Sequence, residues 1–374
     1  MTTEIIRLAD NSSLSSVREK AIAALRAGKL VVFPTETVYG IGALATSTEA
    51  VRRLMSAKGR KKGHAVPVAI SGYRALSHYA PDIDEVTARI ARRCWPGPIT
   101  LVADASSPRS RFASLPDEVK EVIMPCGTVG FRVPNNAVFL NILRDLDEPI
   151  LLTSANLTGE PPAVSAESAK VGLGDSPDLI IDDGIACFQR PSTVVSVSGG
   201  NVNVIREGVY TKEQIEKAKV KMILFVCTGN TCRSPMAEMI CSNLIAKKLG
   251  CPVEELEAHG YVVMSAGVAA FPGAPASPEA VEVMKNRGIS LEGHQTQLLS
   301  ASLLRYADRI YVMGRAHMEA ICKEYTEDAD RISFLSADGS DIRDPLGGGY
   351  SVYQDCAKQI ESELEKHLSE IITF

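Results

Sequence analysis

Apolar residues fall along this chain in short uninterrupted runs, separated by stretches where they return every third or fourth position. Residues 222–226 (Met-Ile-Leu-Phe-Val) and 30–33 (Leu-Val-Val-Phe) are apolar throughout, the pattern of strands buried on both faces. Residues 47–57 carry Val51, Leu54 and Met55 on one face and predict a helix, which runs out into the basic stretch Lys58-Gly59-Arg60-Lys61-Lys62-Gly63. Residues 129–134 (Val-Gly-Phe-Arg-Val-Pro) read as a strand with Arg132 set among apolar neighbours, where a charge requires a partner or a ligand. Residues 95–100 form a Pro/Gly-rich turn into a strand, and residues 151–162 a strand followed by a loop rich in hydroxyls and amides. Both halves of the chain read as α/β.

At 374 residues the chain exceeds one ordinary domain, so two are expected. Charge divides it as well. Residues 1–221 carry 27 Lys+Arg against 24 Asp+Glu, a net of +3; residues 222–374 carry 13 against 21, a net of −8. The break falls in the polar, Lys-rich stretch 211–221, read as a helical or flexible connector, which predicts domains at 1–214 and 222–374 with a linker at 215–221. The hydrophobic share of 45% and charged share of 23% are those of a soluble globular protein, and no apolar run approaches a bilayer span. The N-terminus lacks the basic and apolar regions of a secretory signal. Nine cysteines, an odd number, point to a reducing compartment, and a cytoplasmic location is expected. There is no Cys-x2-Cys and no histidine pair at zinc-ligand spacing, so no metal site is expected.

The strongest chemical signal is Cys227-Thr228-Gly229-Asn230-Thr231-Cys232-Arg233-Ser234-Pro235, placed between the 222–226 strand and a helix with Pro235 in its first turn. Backbone N–H groups of such a loop converge on one point, and the helix dipole adds positive character, which makes a cradle for a tetrahedral oxyanion. The same field, with Arg233, favours a thiolate at Cys227 and hence a nucleophile. Far downstream, Asp344-Pro345 precedes a Gly-rich loop, Leu346-Gly347-Gly348-Gly349, and offers a carboxyl for acid–base work. In these motifs, and in Ser265-Ala266-Gly267, residues 222–374 resemble the low-molecular-weight protein tyrosine phosphatases. The resemblance implies a four-stranded parallel sheet, a phosphocysteine formed at Cys227, phosphoryl binding by Arg233 and the loop residues Gly229, Asn230 and Cys232, a thiolate hydrogen bond from Ser234, Asp344 as general acid, and no cofactor. Tyrosine-specific members usually carry a bulky aliphatic residue where this chain has Thr231, and aromatic residues after Asp-Pro. Thr231 and Leu346-Gly347-Gly348 are instead similar to the protein arginine phosphatases, which implies phosphoarginine in proteins as substrate. Phosphotyrosine is the alternative. Arsenate reduction is a remoter one, because Cys232, Cys322 and Cys356 show no tight pair for a disulfide relay.

In the N-terminal half, turns and hydroxyl-rich loops recur: Pro34 to Gly42, Lys58-Gly59-Arg60, Thr153-Ser154-Ala155-Asn156, Pro191-Ser192-Thr193-Val194-Val195 and Ile205-Arg206-Glu207-Gly208. Together they are anion-binding equipment, without a Walker loop. In that order they resemble the threonylcarbamoyl-AMP synthases of tRNA modification. The resemblance implies a twisted mixed sheet with a ligand cavity on one face, and condensation of threonine, bicarbonate and ATP, with Mg2+ on the nucleotide, to threonylcarbamoyl-adenylate and pyrophosphate. It implies further that Lys58, Arg60, Ser154 and Asn156 form the nucleotide and carbamate site, that Thr35, Arg132 and Thr193 hold threonine, and that Ser192 and Arg206 contact ATP. tRNA and its modification proteins are then indirect partners. Two departures stand out, Lys61 where the family has Pro and Ser196 where it often has an acid. A rival reading makes this half a non-catalytic RNA-binding module, with Arg52, Arg53, Lys58, Arg60, Lys61, Lys62, Arg92 and Arg93 as a basic face.

Overall fold

The computed structural model describes residues 2–8, 14–60, 63 and 65–373. Lys61 and its basic neighbours Lys62 and His64 lie outside the described residues. The chain divides into two compact units, Met1–Ala218 and Lys219–Phe374. Within the expected connector, Lys212–Lys219 is a helix whose Ile215 and Ala218 are buried in the first unit's core, and the next strand starts at Lys221, one residue earlier than the apolar run.

The first unit is built on ten strands: β1 (Glu4–Arg7), β2 (Val31–Phe33), β3 (Gly40–Leu44), β4 (Val68–Ala69), β5 (Ile99–Asp104), β6 (Thr128–Arg132), β7 (Ile150–Ser154), β8 (Leu179–Asp182), β9 (Thr193–Ser198) and β10 (Asn201–Arg206). They pair in the order β1-β8-β2-β3-β7-β4-β6-β5-β9-β10. The sheet is mixed: β2 runs antiparallel to β3 but parallel to β8, and β5 antiparallel to β6 but parallel to β9. Alternation along β2 explains its uninterrupted apolar run. Val32 packs with Val51 and Leu54 of the helix Thr48–Ala57 on one face, while Val31 and Phe33 pack with the helices Leu14–Arg26 and Ala137–Leu146 on the other. Phe33 stacks on Phe139 with ring centroids 4.2 Å apart. Both faces being covered, every residue of β2 is buried.

The second unit holds four parallel strands, β11 (Lys221–Cys227), β12 (Tyr261–Gly267), β13 (Arg309–Val312) and β14 (Ile332–Phe334), in the order β12-β11-β13-β14. Ile223 and Phe225 face the core shared with the helices Arg233–Leu249 and Tyr350–Ile372; Met222, Leu224 and Val226 face the core on the opposite side. Each such side chain contributes roughly 1.5–3 kcal/mol on burial. The chain leaves β11 to pair with β12 on one side and β13 on the other, so the carboxyl end of β11 is the point where the strand order reverses, where open α/β sheets bind ligands. Cys227 is that end.

Candidate functional sites

In the first unit, β3, β5, β6, β7, β9 and β10 surround a cavity of about 560 Å³, within the range of small-molecule sites. Thr35, Arg60, Arg132, Ser154, Asn156, Ser192 and Arg206 all line it. Residues distant in sequence are thus brought onto one space. Lys58 and Thr193 are not among its lining residues. Thr193 is fully buried; its hydroxyl donates to the carbonyl of Tyr210 at 2.7 Å and accepts the N–H of Gly208 at 3.0 Å, so it holds a turn together. Lys58, only 3% exposed, donates to the carbonyl of Ser154 at 2.6 Å, to that of Asn156, and to Asn156 Oδ1 at 3.3 Å. It shapes the wall of the cavity from behind.

Three guanidinium groups face the cavity. Arg132 ends β6, and its Nη2 donates to Thr37 Oγ1 at 2.6 Å, Glu36 Oε1 at 3.1 Å and Thr35 Oγ1 at 3.4 Å. Its buried Nε has no partner. Thr35 also closes its own turn by donating to the carbonyl of Val38 at 2.6 Å. Arg206 donates to the carbonyl of Ser192 at 2.8 Å, and Ser192 Oγ lies 3.0 Å from Thr100 Oγ1. Arg206 is exposed, yet desolvation, with the Arg132 charge second, pushes it below the ordinary arginine value. Burial pushes Arg60 in the same direction. Burial, and then the charge of Arg60, lower Lys58 to about 8. Against these cations Glu160 is the one carboxylate among the described lining residues. Cations crowded and desolvated around one cavity favour an anionic ligand.

Glu36, Thr37, Tyr39 and Thr100 join this site although none was singled out in the sequence. Glu36 and Thr37 lay inside the Pro34–Gly42 run, and the embedded charge of Arg132 was the available signal that a carboxylate must be near. Gly208 serves the same wall: a Cβ there would meet the Pro191 carbonyl oxygen at 2.3 Å and the Thr193 nitrogen at 2.6 Å, so only glycine lets the two segments approach.

Of the basic face proposed for RNA, the described residues are partly paired and partly buried. Arg52 pairs with Glu118 at 2.6 Å and Arg53 with Asp178 at 2.9 Å, while Lys58, Arg92 and Arg93 are buried. Lys61 and Lys62 lie outside the described residues. The spacing of basic residues along a sequence carries no information about which side chains the fold turns inward.

In the second unit Cys227 is 3% exposed, and its Sγ lies 2.9 Å from Ser234 Oγ and 3.3 Å from the Asn230 N–H that points at it. Asn230 takes the left-handed backbone region with φ +56, which turns its N–H inward. The loop then enters the helix Arg233–Leu249, with Cys232 as its N-cap and Pro235 in the first turn, so unpaired N–H groups and the positive end of the helix face the same point. Gly267 backs the loop; a Cβ there would meet the Thr228 carbonyl oxygen at 2.5 Å and the Asn230 nitrogen at 2.9 Å. Arg233 is buried and its Nη2 lies 2.5 Å from Asp344 Oδ2, while Asp344 is about half exposed. Cys227, Arg233, Ser234 and Asp344 therefore occupy one place. Thr231 Oγ1 lies 3.4 Å from Cys232 Sγ, and Cys232 Sγ lies 3.3 Å from Tyr353 Oη. His317, unremarked in the sequence, has Nε2 3.0 Å from Thr228 Oγ1; burial, and then the Arg233 charge, lower it. Leu346 is exposed on the Asp344 loop, and its N–H donates to Asp344 Oδ1 at 3.1 Å.

Among the described residues no helix is long and apolar enough to cross a membrane, and no group of three His, Cys, Asp or Glu is placed to hold a metal ion.

Comparison with known proteins divides the chain at the same region. The Sua5/YciO/YrdC family model, described as telomere recombination, matches residues 23–208, and the low molecular weight phosphotyrosine protein phosphatase model matches residues 222–373. A putative threonylcarbamoyl-AMP synthase of Mycobacterium tuberculosis is 34% identical over 213 residues, 57% of this chain and 94% of that protein. A protein-arginine-phosphatase of Bacillus subtilis is 35% identical over 153 residues, 40% of this chain and 93% of that protein. A solved structure of Pyrococcus abyssi Sua5 matches with a TM-score of 0.52 at 22% identity, covering 89% of this chain and 98% of that one, a likeness of fold.

Proposed function

This chain belongs to two families, the Sua5/YciO/YrdC family through residues 23–208 and the low-molecular-weight phosphotyrosine protein phosphatase family through residues 222–373, and from that pairing we propose that it is a bifunctional enzyme. The first unit forms threonylcarbamoyl-AMP from threonine, bicarbonate and ATP. The observation that carries this is the convergence of Arg60, Arg132 and Arg206 on one cavity. Carboxylation of the threonine amine releases water and gives a carbamate. A carbamate oxygen attacks the α-phosphorus, and pyrophosphate leaves. Ordered guanidinium groups stabilise the charge that gathers on the phosphate oxygens without reorganising during the reaction. Arg132 with Thr35 suits the threonine end, and Ser192 with Arg206 the nucleotide. Lys58 acts through the Ser154–Asn156 loop. A Mg2+ would arrive on the triphosphate, with Glu160 the available carboxylate. The product serves tRNA modification.

The second unit hydrolyses phosphoarginine in proteins. The Cys227 thiolate attacks phosphorus, Asp344 protonates the departing nitrogen, and a thiophosphate ester forms. Asp344 then takes a proton from water, which attacks phosphorus and releases inorganic phosphate and the thiolate. Phosphate bound at Arg233 displaces Asp344 from it and frees the carboxyl for this work. Thr231 and the glycines after Leu346 leave room for a long polar side chain where a tyrosine ring would need an apolar grip.

The test uses the full chain. Pyrophosphate release should require threonine, bicarbonate and ATP together. Phosphate release should favour phosphoarginine over phosphotyrosine peptides, with Cys227→Ser as blank. Pyrophosphate release without threonine, or a preference for phosphotyrosine, would refute the corresponding half.

A further inference from the structure

A line of hydrogen bonds runs away from the Cys227 sulfur into the second unit and ends on a carboxyl group that the reaction does not use. Ser234 Oγ is 2.9 Å from the sulfur. Asn230 Nδ2 donates to Ser234 Oγ at 3.0 Å and to Ser265 Oγ at 2.8 Å. Ser265 Oγ donates to Glu238 Oε2 at 2.5 Å. Asn230, Ser234 and Ser265 are each at most 1% exposed, and Glu238 is half-buried. Glu238 itself projects from the second turn of the helix Arg233–Leu249.

The direction of these bonds can be assigned. The backbone N–H of Gln297 donates to Asn230 Oδ1 at 2.8 Å, and an amide N–H can only donate, so the Asn230 oxygen must face it. Asn230 Nδ2 then faces the two serines with one hydrogen for each. Each serine oxygen accepts from Asn230 and must direct its own proton elsewhere. Ser234 has the sulfur at 2.9 Å and the Ala266 carbonyl at 3.4 Å, and the nearer acceptor is the thiolate. Ser265 has Glu238.

We propose that Glu238 is a positioning residue for the nucleophile: by accepting the Ser265 proton it fixes Ser265 as acceptor toward Asn230, and so holds the arrangement in which Asn230 and Ser234 present their hydrogens to the Cys227 sulfur. Without a carboxyl oxygen there, Ser265 can turn its hydroxyl toward Asn230, where it meets an N–H, and the left-handed Asn230 loses one of the contacts that over-determine it. Burial raises the Glu238 carboxyl to about 7, with the Ser265 hydrogen bonds opposing; either protonation state keeps an oxygen able to accept. The proposal rests on Cys227 being the phosphoryl-accepting nucleophile.

The experiment compares full-length wild type, Glu238→Leu and Glu238→Gln in turnover of para-nitrophenyl phosphate and in the rate at which iodoacetamide alkylates Cys227 at neutral pH. One hydrogen bond to a charged group corresponds to roughly tenfold, so E238L should lose about that factor in both kcat and alkylation rate, with KM little changed. E238Q, whose amide oxygen still accepts from Ser265, should recover both. Wild-type values in E238L, or a loss in E238Q equal to that in E238L, would overturn the proposal. If E238L does not fold, Ser265→Ala breaks the same link from the strand side, and the same outcomes decide. Phosphatase activity that survives Cys227→Ser would instead sink the nucleophile assignment, and leave Glu238 with nothing to position.

Discussion

Replacing Lys58 by Met keeps the aliphatic stem and removes the ammonium, which isolates what that group does. In the folded unit Lys58 is 3% exposed, and its Nζ serves three oxygens, the carbonyls of Ser154 and Asn156 and the side-chain oxygen of Asn156. Met offers no donor to any of them. A buried acceptor left unpaired costs about 1–3 kcal/mol. Two buried carbonyls set a range of about 2–6 kcal/mol, and relief from desolvating a charge offsets part of it. A net of about 2 kcal/mol corresponds to roughly a 30-fold shift toward a loosened 154–156 loop. That loop carries Ser154 and Asn156 into the cavity. Pyrophosphate release dependent on threonine, bicarbonate and ATP should therefore fall at least as far, while phosphatase turnover in the other unit stays unchanged and serves as internal control. Wild-type kcat/KM in Lys58→Met would refute the reasoning, because it would mean that the loop holds its shape without the ammonium.

The same group gives a pH dependence. Its folded value, about 8, lies below its ordinary value of 10.5. Between those values the unfolded chain keeps the proton that the folded unit has released, so this group alone makes stability rise with pH from about 8 toward 10.5, whereas synthase activity should fall as pH rises through about 8 and the folded unit loses the ammonium; a flat alkaline limb in wild type, matched by Lys58→Met, would contradict it. Gly208→Ala places a Cβ 2.3 Å from one backbone oxygen and 2.6 Å from a backbone nitrogen, none of it movable side chain, and should destabilise the first unit by about 1–3 kcal/mol and weaken ATP binding measured by calorimetry. Thr231→Ile should lower the ratio of phosphoarginine to phosphotyrosine turnover; an unchanged ratio would show that specificity lies elsewhere.

The elements legible in the sequence were those whose pattern is local. The run 222–226, the helix over 47–57 and the strand carrying Arg132 all formed, because alternation along a strand and a stripe on a helix depend only on near neighbours. The Cys227-x5-Arg233 loop was legible for the same reason: strand end, loop and helix start are consecutive, and covalent geometry between them leaves little for the rest of the chain to decide. The N-terminal site was legible only as a set of separate loops. That Thr35, Arg132, Ser154 and Ser192 share one cavity follows from a strand order, β2-β3-β7-β4-β6-β5-β9, that no local pattern encodes.

Sequence alone determined the two-part α/β organisation, the buried strands and the loop that runs from Cys227 into a helix. The tertiary structure alone decided which functional groups face the ligand space. It turned Lys58 inward to brace a loop and closed the Thr193 hydroxyl onto a turn, brought Glu36 and Thr37 to Arg132, and buried or paired the cations that a linear reading would spread across a surface. The physical reason is that a buried charge or hydroxyl must find its partner, and partners as far as 125 residues away become neighbours only when the sheet is assembled.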